Sequence, residues 1–129
     1  MNGKYVLDTN IVIALYADDS SVMEGINNAI EIYLPSIVIG ELYYGAFNSG
    51  KKEENIQKID QLIKESLILA CDDTTAKHYG KIKSQLKEKG TPIPENDIWI
   101  AALAFQYSLT LISRDTHFSF IDGLKTQRW

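Results

Sequence analysis

Cysteine, long apolar runs and positive charge are all scarce in this 129-residue sequence. The single cysteine, Cys71, cannot form a disulfide within the chain, and the start lacks the apolar stretch of a secretory signal, so we expect a protein of the reducing cytoplasm. The apolar stretch at residues 98–108, which contains no charge or proline, is about half of the ~20 residues that span a bilayer. It predicts a buried helix, and we expect no membrane segment. With 13 basic and 17 acidic residues, a formal net charge of -4, the chain has no general attraction for polyanions.

The rest of the composition is that of an ordinary globular protein. Hydrophobic residues make up 45% of the chain and charged residues 23%. A chain of this length can bury roughly two-thirds of its unfolded surface without metal or disulfide staples. We therefore expect one domain that spans residues 1–129.

The hydrophobic pattern predicts alternating strands and helices. Four short apolar runs read as strands, at residues 5–7, 32–34, 67–70 and 110–113, and helical segments separate them. We expect Ser36 to cap the third helix and Thr74 or Thr75 to cap the fifth. Because the strands are apolar throughout and alternate with helices, they favour an α/β fold with a parallel sheet covered on both faces.

Acidic residues occupy four positions of chemical interest. Asp8 directly follows the first strand and Asp115 closely follows the last, where functional crevices lie in open parallel sheets. Glu41 has apolar neighbours and Asp97 begins the most apolar helix, although charged side chains rarely enter such settings without a partner or an ion. The plainer explanation remains open: aspartate is common in turns, and an acid in a first helical turn favours the helix dipole.

If the four carboxylates converge, a hard divalent cation is the simplest compensation for their charge. Mg²⁺ or Mn²⁺ suits such a site, whereas zinc does not, because His78, His117 and Cys71 lack ligand spacing. Both histidines are expected at ordinary surface positions or beside the ligands. An acidic site without a phosphate-binding loop favours phosphodiester hydrolysis by a metal-activated water. The small polar residues Thr9, Asn10 and Ser113 could orient water or phosphate, or serve as caps.

Four segments carry a family resemblance. They are Val-Leu-Asp-Thr-Asn at 6–10, Glu-Leu at 41–42 in a helix opened by Pro-Ser, Asn-Asp-Ile-Trp-Ile-Ala-Ala at 96–102, and Leu-Ile-Ser-Arg-Asp at 111–115. In this order and spacing they resemble the PIN-domain ribonucleases, specifically the VapC toxins of toxin–antitoxin modules, over essentially the whole chain. The resemblance implies a PIN-like three-layer α/β/α domain with a short, mainly parallel central sheet flanked by helices.

The resemblance also implies an activity and a site. It implies endonucleolytic cleavage of RNA with Mg²⁺ or Mn²⁺, with metal ligands at Asp8, Glu41, Asp97 and Asp115. Ser113 supplies the hydroxyl that relatives carry near the last acid, often as threonine. Asn10 stands where relatives often have serine, and Thr9 flanks the first acid.

Partners follow from the same resemblance. It implies a homodimer and a VapB-like antitoxin whose C-terminal segment presents a basic side chain to the acidic pocket, which fits charge pairing with carboxylates. Apolar faces at 56–63 and around Tyr43, Tyr44 and Phe47 are candidate partner surfaces. RNA phosphates could be held by Arg114 beside the last acid and by lysines of the fifth helix, among them Lys77 and Lys81. A solvated helix face explains those lysines equally well.

Two other functions remain compatible with the sequence. The first is a non-catalytic interaction domain whose acidic pocket binds a basic peptide, and the second is a DNA- or flap-directed PIN-type nuclease. A phosphatase is disfavoured because residues 8–10, Asp-Thr-Asn, lack the second aspartate of an aspartyl-phosphate mechanism. Without the four acids the chain has 13 acidic and 13 basic residues, so the net charge equals that of the predicted site.

Overall fold

The computed structural model describes residues 3–129 and contains a five-stranded sheet. The strands are β1 (Lys4–Leu7), β2 (Glu31–Pro35), β3 (Leu67–Leu69), β4 (Thr110–Ile112) and β5 (Thr126–Gln127). The helices are α1 (Thr9–Tyr16), α2 (Ser20–Asn28), α3 (Ser36–Phe47), α4 (Lys52–Lys64), α5 (Asp73–Lys89) and α6 (Glu95–Gln106), followed by a 3₁₀ helix at Thr116–Phe120. The strand order is β3-β2-β1-β4-β5, and every pairing is parallel. The predicted α/β class with a parallel sheet flanked by helices is confirmed.

The central position of β1 explains why its sequence is apolar rather than alternating. This strand pairs with β2 on one side and with β4 on the other, so Val6 lies between Tyr33 and Leu111. Val6, Leu7 and Leu111 are fully buried, as expected of a strand covered on both faces. The carboxyl ends of β1 and β4 therefore lie side by side.

Helix α6 is the buried helix that the sequence predicts. Five residues of its middle, at 100–104, are at most 1% exposed. It runs antiparallel to α5, because Thr75 near the start of α5 bonds to Gln106 at the end of α6. This packing places the first turn of α6 at the end of the helix pair opposite Gln106. Within residues 3–129, no helix is both long and apolar enough to cross a membrane.

The structure corrects three local predictions. Pro35 rather than Ser36 precedes α3 as the cap residue, and no side chain caps that helix. Asp72 rather than Thr74 or Thr75 caps α5, and Thr75 completes a capping box by accepting a hydrogen bond from the Asp72 amide at 3.0 Å. The sequence prediction also missed β5, because that strand has only two residues and both are polar and exposed.

Candidate metal-binding active site

Asp8 and Ser113 meet where the two neighbouring central strands end. Leu7 pairs with Ile112, so the residues that follow them are adjacent. The Ser113 hydroxyl donates to Asp8 Oδ2 at 2.7 Å and accepts from the Asp115 amide at 2.9 Å. Asp8 is only 5% exposed. One buried hydroxyl therefore connects the acid after β1 to the acid after β4.

Thr9 connects Asp8 to Glu41. Its amide donates to Asp8 Oδ1 at 2.8 Å, and its hydroxyl donates to Glu41 Oε1 at 2.6 Å. Glu41 lies on the exposed side of α3, whose buried residues are Val38, Leu42 and Ala46. The apolar neighbours of Glu41 in sequence therefore do not bury it, because they lie on other faces of the helix, and its carboxylate has the Thr9 hydroxyl as a partner.

The side chain of His117 contacts the carboxylates of both Asp97 and Asp115. His117 Nδ1 lies 2.9 Å from Asp115 Oδ1 and 3.3 Å from Asp97 Oδ2. Asp97 belongs to the first turn of α6, and Asp115 caps the 3₁₀ helix by accepting from the His117 amide at 2.9 Å. The alternative left open by the sequence is therefore partly right: Asp115 does cap a helix, and Asp97 does lie in a first helical turn. These local roles do not prevent the two carboxylates from lying close together.

In the acidic cluster of Asp8, Glu41, Asp97 and Asp115, the surroundings disfavour the charged forms of Asp8 and Asp97. Burial raises the pKa of Asp8, and the charges of Glu41 and Asp115 raise it further, while hydrogen bonds from Ser113 and Thr9 lower it. Burial, and then the charge of Asp8, raises the pKa of Asp97 to about 6. The fold therefore holds carboxylates together against their repulsion, which a bound cation would relieve.

The chemistry of the donors fits Mg²⁺ or Mn²⁺. The cluster offers carboxylate oxygens from four chain segments, which are the ligands that such hard cations prefer. Single ligand atoms from Asp97, Asp115 and His117 all lie within 4.8 Å of one another. The cluster contains no thiolate: Cys71 follows the edge strand β3, which is two strands away from β1 in the sheet.

The side chain of Asn10 connects Asp8 to the loop after β4. Its Nδ2 donates to Asp8 Oδ2 at 3.2 Å and lies 3.4 Å from Ser113 Oγ, while its Oδ1 accepts from the Arg114 amide at 3.2 Å. Both ends of the amide have protein partners, so its contacts position the carboxylate and the loop after β4.

The Arg114 side chain extends away from the carboxylates. Its Nη2 donates to Asp19 Oδ2 at 2.8 Å, and its Nε donates to the Trp129 carbonyl at 2.9 Å. Hydrogen bonds from Ser21 and Arg114 hold the pKa of Asp19 well below its usual range. The predicted phosphate-binding guanidinium thus already has an anionic partner, and it fixes the loop after β4 to α2.

Asp19 and Trp129 are contacts that sequence reasoning missed. One signal was available, a glycine in the interior of α2. A Cβ on Gly25 would lie 2.4 Å from the Trp129 ring, and Tyr5 meets that ring edge-on at 5.2 Å. Only glycine allows the tryptophan to lie this close to α2.

The two predicted lysines occupy exposed positions on α5. Lys77 is close to Thr75, at the end of the α5–α6 pair that contains Gln106, whereas Asp97 lies at the opposite end of α6. Lys81 is one turn further along α5, between Tyr79 and Lys83, which both contact Glu95 at the start of α6. Contact of these lysines with RNA stays a prediction.

An apolar groove leads away from the acids. It lies between α1, α3 and α4 and has a volume of about 200 Å³. Thr9 and Glu41 line it, together with apolar residues that include Ile13, Leu42 and Ile59. Ile13 is 58% exposed, so the groove offers an accessible apolar side chain close to Glu41.

Comparisons with known proteins agree on one family. The PIN domain profile matches residues 5–124. Ribonuclease VapC2 of Haemophilus influenzae is 39% identical over 129 residues, and the tRNA(fMet)-specific endonuclease VapC of Shigella flexneri is 33% identical; each alignment covers 98% of both chains. Among solved structures, VapBC2 from Rickettsia felis bound to a DNA fragment from their promoter matches with a TM-score of 0.91 at 30% identity, and VapBC-1 from nontypeable Haemophilus influenzae with 0.90 at 33%, each over 98% of both chains. The chain belongs to the PIN-domain family and, within it, to the VapC ribonucleases.

Proposed function

We propose that this protein is an endoribonuclease and the toxin of a toxin–antitoxin module, and that it hydrolyses RNA with Mg²⁺ or Mn²⁺. Four acids, Asp8, Glu41, Asp97 and Asp115, would hold the ion. The observation that carries the proposal is that direct contacts through Ser113, Thr9 and His117 connect these acids, which come from separate chain segments, at the carboxyl edge of a parallel sheet. The ribonuclease names of relatives that match almost end to end support the same activity.

The bound ion would supply Lewis-acid chemistry, by lowering the pKa of water and neutralising charge on the scissile phosphate. The protein's own residues orient the carboxylates that would bind the ion. Both oxygens of Asp8 accept hydrogen bonds, Oδ1 from the Thr9 amide and Oδ2 from Ser113 and Asn10. These donors favour the ionised form and fix its orientation, while Thr9 fixes Glu41.

The charge balance explains how an acidic protein can bind RNA. Outside the four acids the sequence has equal numbers of acidic and basic residues. A divalent ion would offset two of the four negative charges of these acids, so a phosphate group would meet the cation rather than uncompensated carboxylates. We place the activity in the cytoplasm, where RNA substrates are present, and in one domain covering residues 1–129.

The proposed partner is a VapB-like antitoxin. It is supported by the solved VapBC complexes that this chain resembles and by the apolar groove that ends at Glu41. An apolar antitoxin segment in the groove would bring a basic side chain to the carboxylates, where a guanidinium can replace the cation. We also propose a homodimer, as in the family resemblance.

The test compares cleavage of total RNA by wild type and Asp8→Asn, with Mg²⁺, with Mn²⁺ or with chelator. Discrete RNA fragments are expected only from wild type with metal. Asp122→Asn is the matched control, because Asp122 is exposed and pairs with Lys89 outside the cluster. Absence of cleavage by wild type with either ion would refute the proposal, and preferential cleavage of single-stranded or flap DNA would favour the DNA-directed alternative.

A further inference from the structure

Three side chains of the site, Asp97, Asp115 and His117, offer ligand atoms close to one another, and His117 is the only one of the three that is not a carboxylate. It lies two residues after Asp115 in the 3₁₀ helix, and the turn brings its ring back over that carboxylate. The ring nitrogen that faces both acids is Nδ1. Its side chain is 42% exposed, so the imidazole lies at the rim of the cluster.

The distances around Nδ1 match those between neighbouring ligands of one ion. In an octahedral site with bonds of about 2.1 Å, adjacent ligand atoms lie about 3.0 Å apart and opposite ones about 4.2 Å. Nδ1 lies 2.9 Å and 3.3 Å from the two carboxylate oxygens, and all three ligand atoms fall within 4.8 Å. Little movement is needed for all three atoms to face a common centre.

We propose that His117 is a metal ligand, and that its nitrogen makes this site prefer Mn²⁺ to Mg²⁺. The inference rests on the proposed function in one respect, namely that the four acids hold a divalent ion. Mg²⁺ binds oxygen and keeps much of its water shell, so it gains little from an imidazole. Mn²⁺ is a first-row transition ion, for which nitrogen is an acceptable donor and which can exchange a water for the ring.

The direct test is pulsed electron paramagnetic resonance of the Mn²⁺-loaded, tag-free protein, which detects nitrogen bonded to the ion. The sequence has only two histidines, His78 and His117. We expect a nitrogen coupling in wild type that changes isotope pattern when histidine is labelled with ¹⁵N and disappears in His117→Asn. The asparagine amide occupies the place of Nδ1 and keeps a hydrogen-bonding group there. His78→Asn is the matched control, because the ring of His78 stacks on Phe105 and its loss should leave the coupling intact.

A binding measurement supplies the second readout. Titration with Mn²⁺, followed by the signal of the free ion, should show about tenfold weaker binding in His117→Asn, while Mg²⁺ competition constants change much less. Three results would overturn the inference. They are the absence of a nitrogen coupling in wild type, a coupling that persists in His117→Asn, and an equal decrease in affinity for Mn²⁺ and Mg²⁺ in that variant. Such a result would leave the proposed function standing if wild type still cleaved RNA in an Asp8-dependent reaction. If wild type binds Mn²⁺ through His117 but cleaves no RNA, the proposed function fails and the ligand assignment holds.

Discussion

Replacing Asp97 with asparagine should stabilise the metal-free protein at alkaline pH. Burial and the neighbouring charge of Asp8 raise the pKa of Asp97 from 3.8 to about 6 in the folded state. Because the unfolded chain keeps the ordinary value, ionising this carboxyl lowers the free energy of unfolding by about 3 kcal/mol above pH 6. Removing the charge should therefore add about 3 kcal/mol to stability.

The stability difference between Asp97→Asn and wild type should depend on pH. A carboxyl whose folded pKa is raised favours the folded state while it is protonated, and this advantage is lost as pH rises from about 4 to about 6. Urea unfolding in chelator should therefore show Asp97→Asn more stable than wild type at pH 8, with the difference vanishing below pH 4. Asp19→Asn is the opposite control: the pKa of Asp19 is lowered by Ser21 and Arg114, so this variant should lose stability at pH 8.

Adding metal provides an internal check on the same variant. At pH 8, Mg²⁺ should stabilise wild type by an amount that grows with the logarithm of its concentration above Kd, and it should stabilise Asp97→Asn less, because a ligand is missing. The reasoning is refuted if Asp97→Asn is no more stable than wild type at pH 8 in chelator. It is equally refuted if the difference is the same at pH 4 and pH 8.

Two further outcomes are expected. Ser113→Ala removes a donor that lowers the pKa of Asp8, so the acidic limb of the pH–cleavage profile should move to higher pH. Ser113→Thr keeps the hydroxyl and should leave the profile in place. An unchanged profile in the alanine variant would contradict the role of the hydroxyl. Ile13→Asp should preserve RNA cleavage but weaken binding of the antitoxin about tenfold or more, measured by titration of the purified partner, because the apolar groove gains a charge. Ile30→Asp, at a position 71% exposed, is its control, and equal binding by both variants would exclude the groove.

Much of the fold follows from patterns that the sequence displays directly. The uninterrupted apolar runs of β1 and β4 predict strands buried on both faces, and the structure places these strands side by side. Acids directly after such strands then lie at one edge of the sheet, so Asp8 and Asp115 could be placed from sequence.

Side-chain direction was harder to predict. Ser113, Arg114 and Asp115 directly follow β4, and the chain bends at Arg114. The side chains of Ser113 and Asp115 contact residues of the acidic cluster, whereas the arginine between them reaches Asp19 at the start of α2. Adjacency in sequence suggested a shared direction, which the structure does not show. Glu41 illustrates the same difficulty on a helix, where apolar neighbours do not imply burial.

The position of β1 in the sheet has a consequence for synthesis on the ribosome. Residues 4–8 emerge early, yet the partner of β1 on one side is β4, about a hundred residues later in the sequence. Asp8 reaches its hydrogen-bonding partner only after Ser113 has left the ribosome, and the loop that carries Asp115 is then fixed through Arg114 to the Trp129 carbonyl. Contacts this distant in sequence form late and together, because the intervening chain must close first. A nascent chain therefore has no assembled nuclease site until residues 113–115 have been translated, about a hundred residues after Asp8.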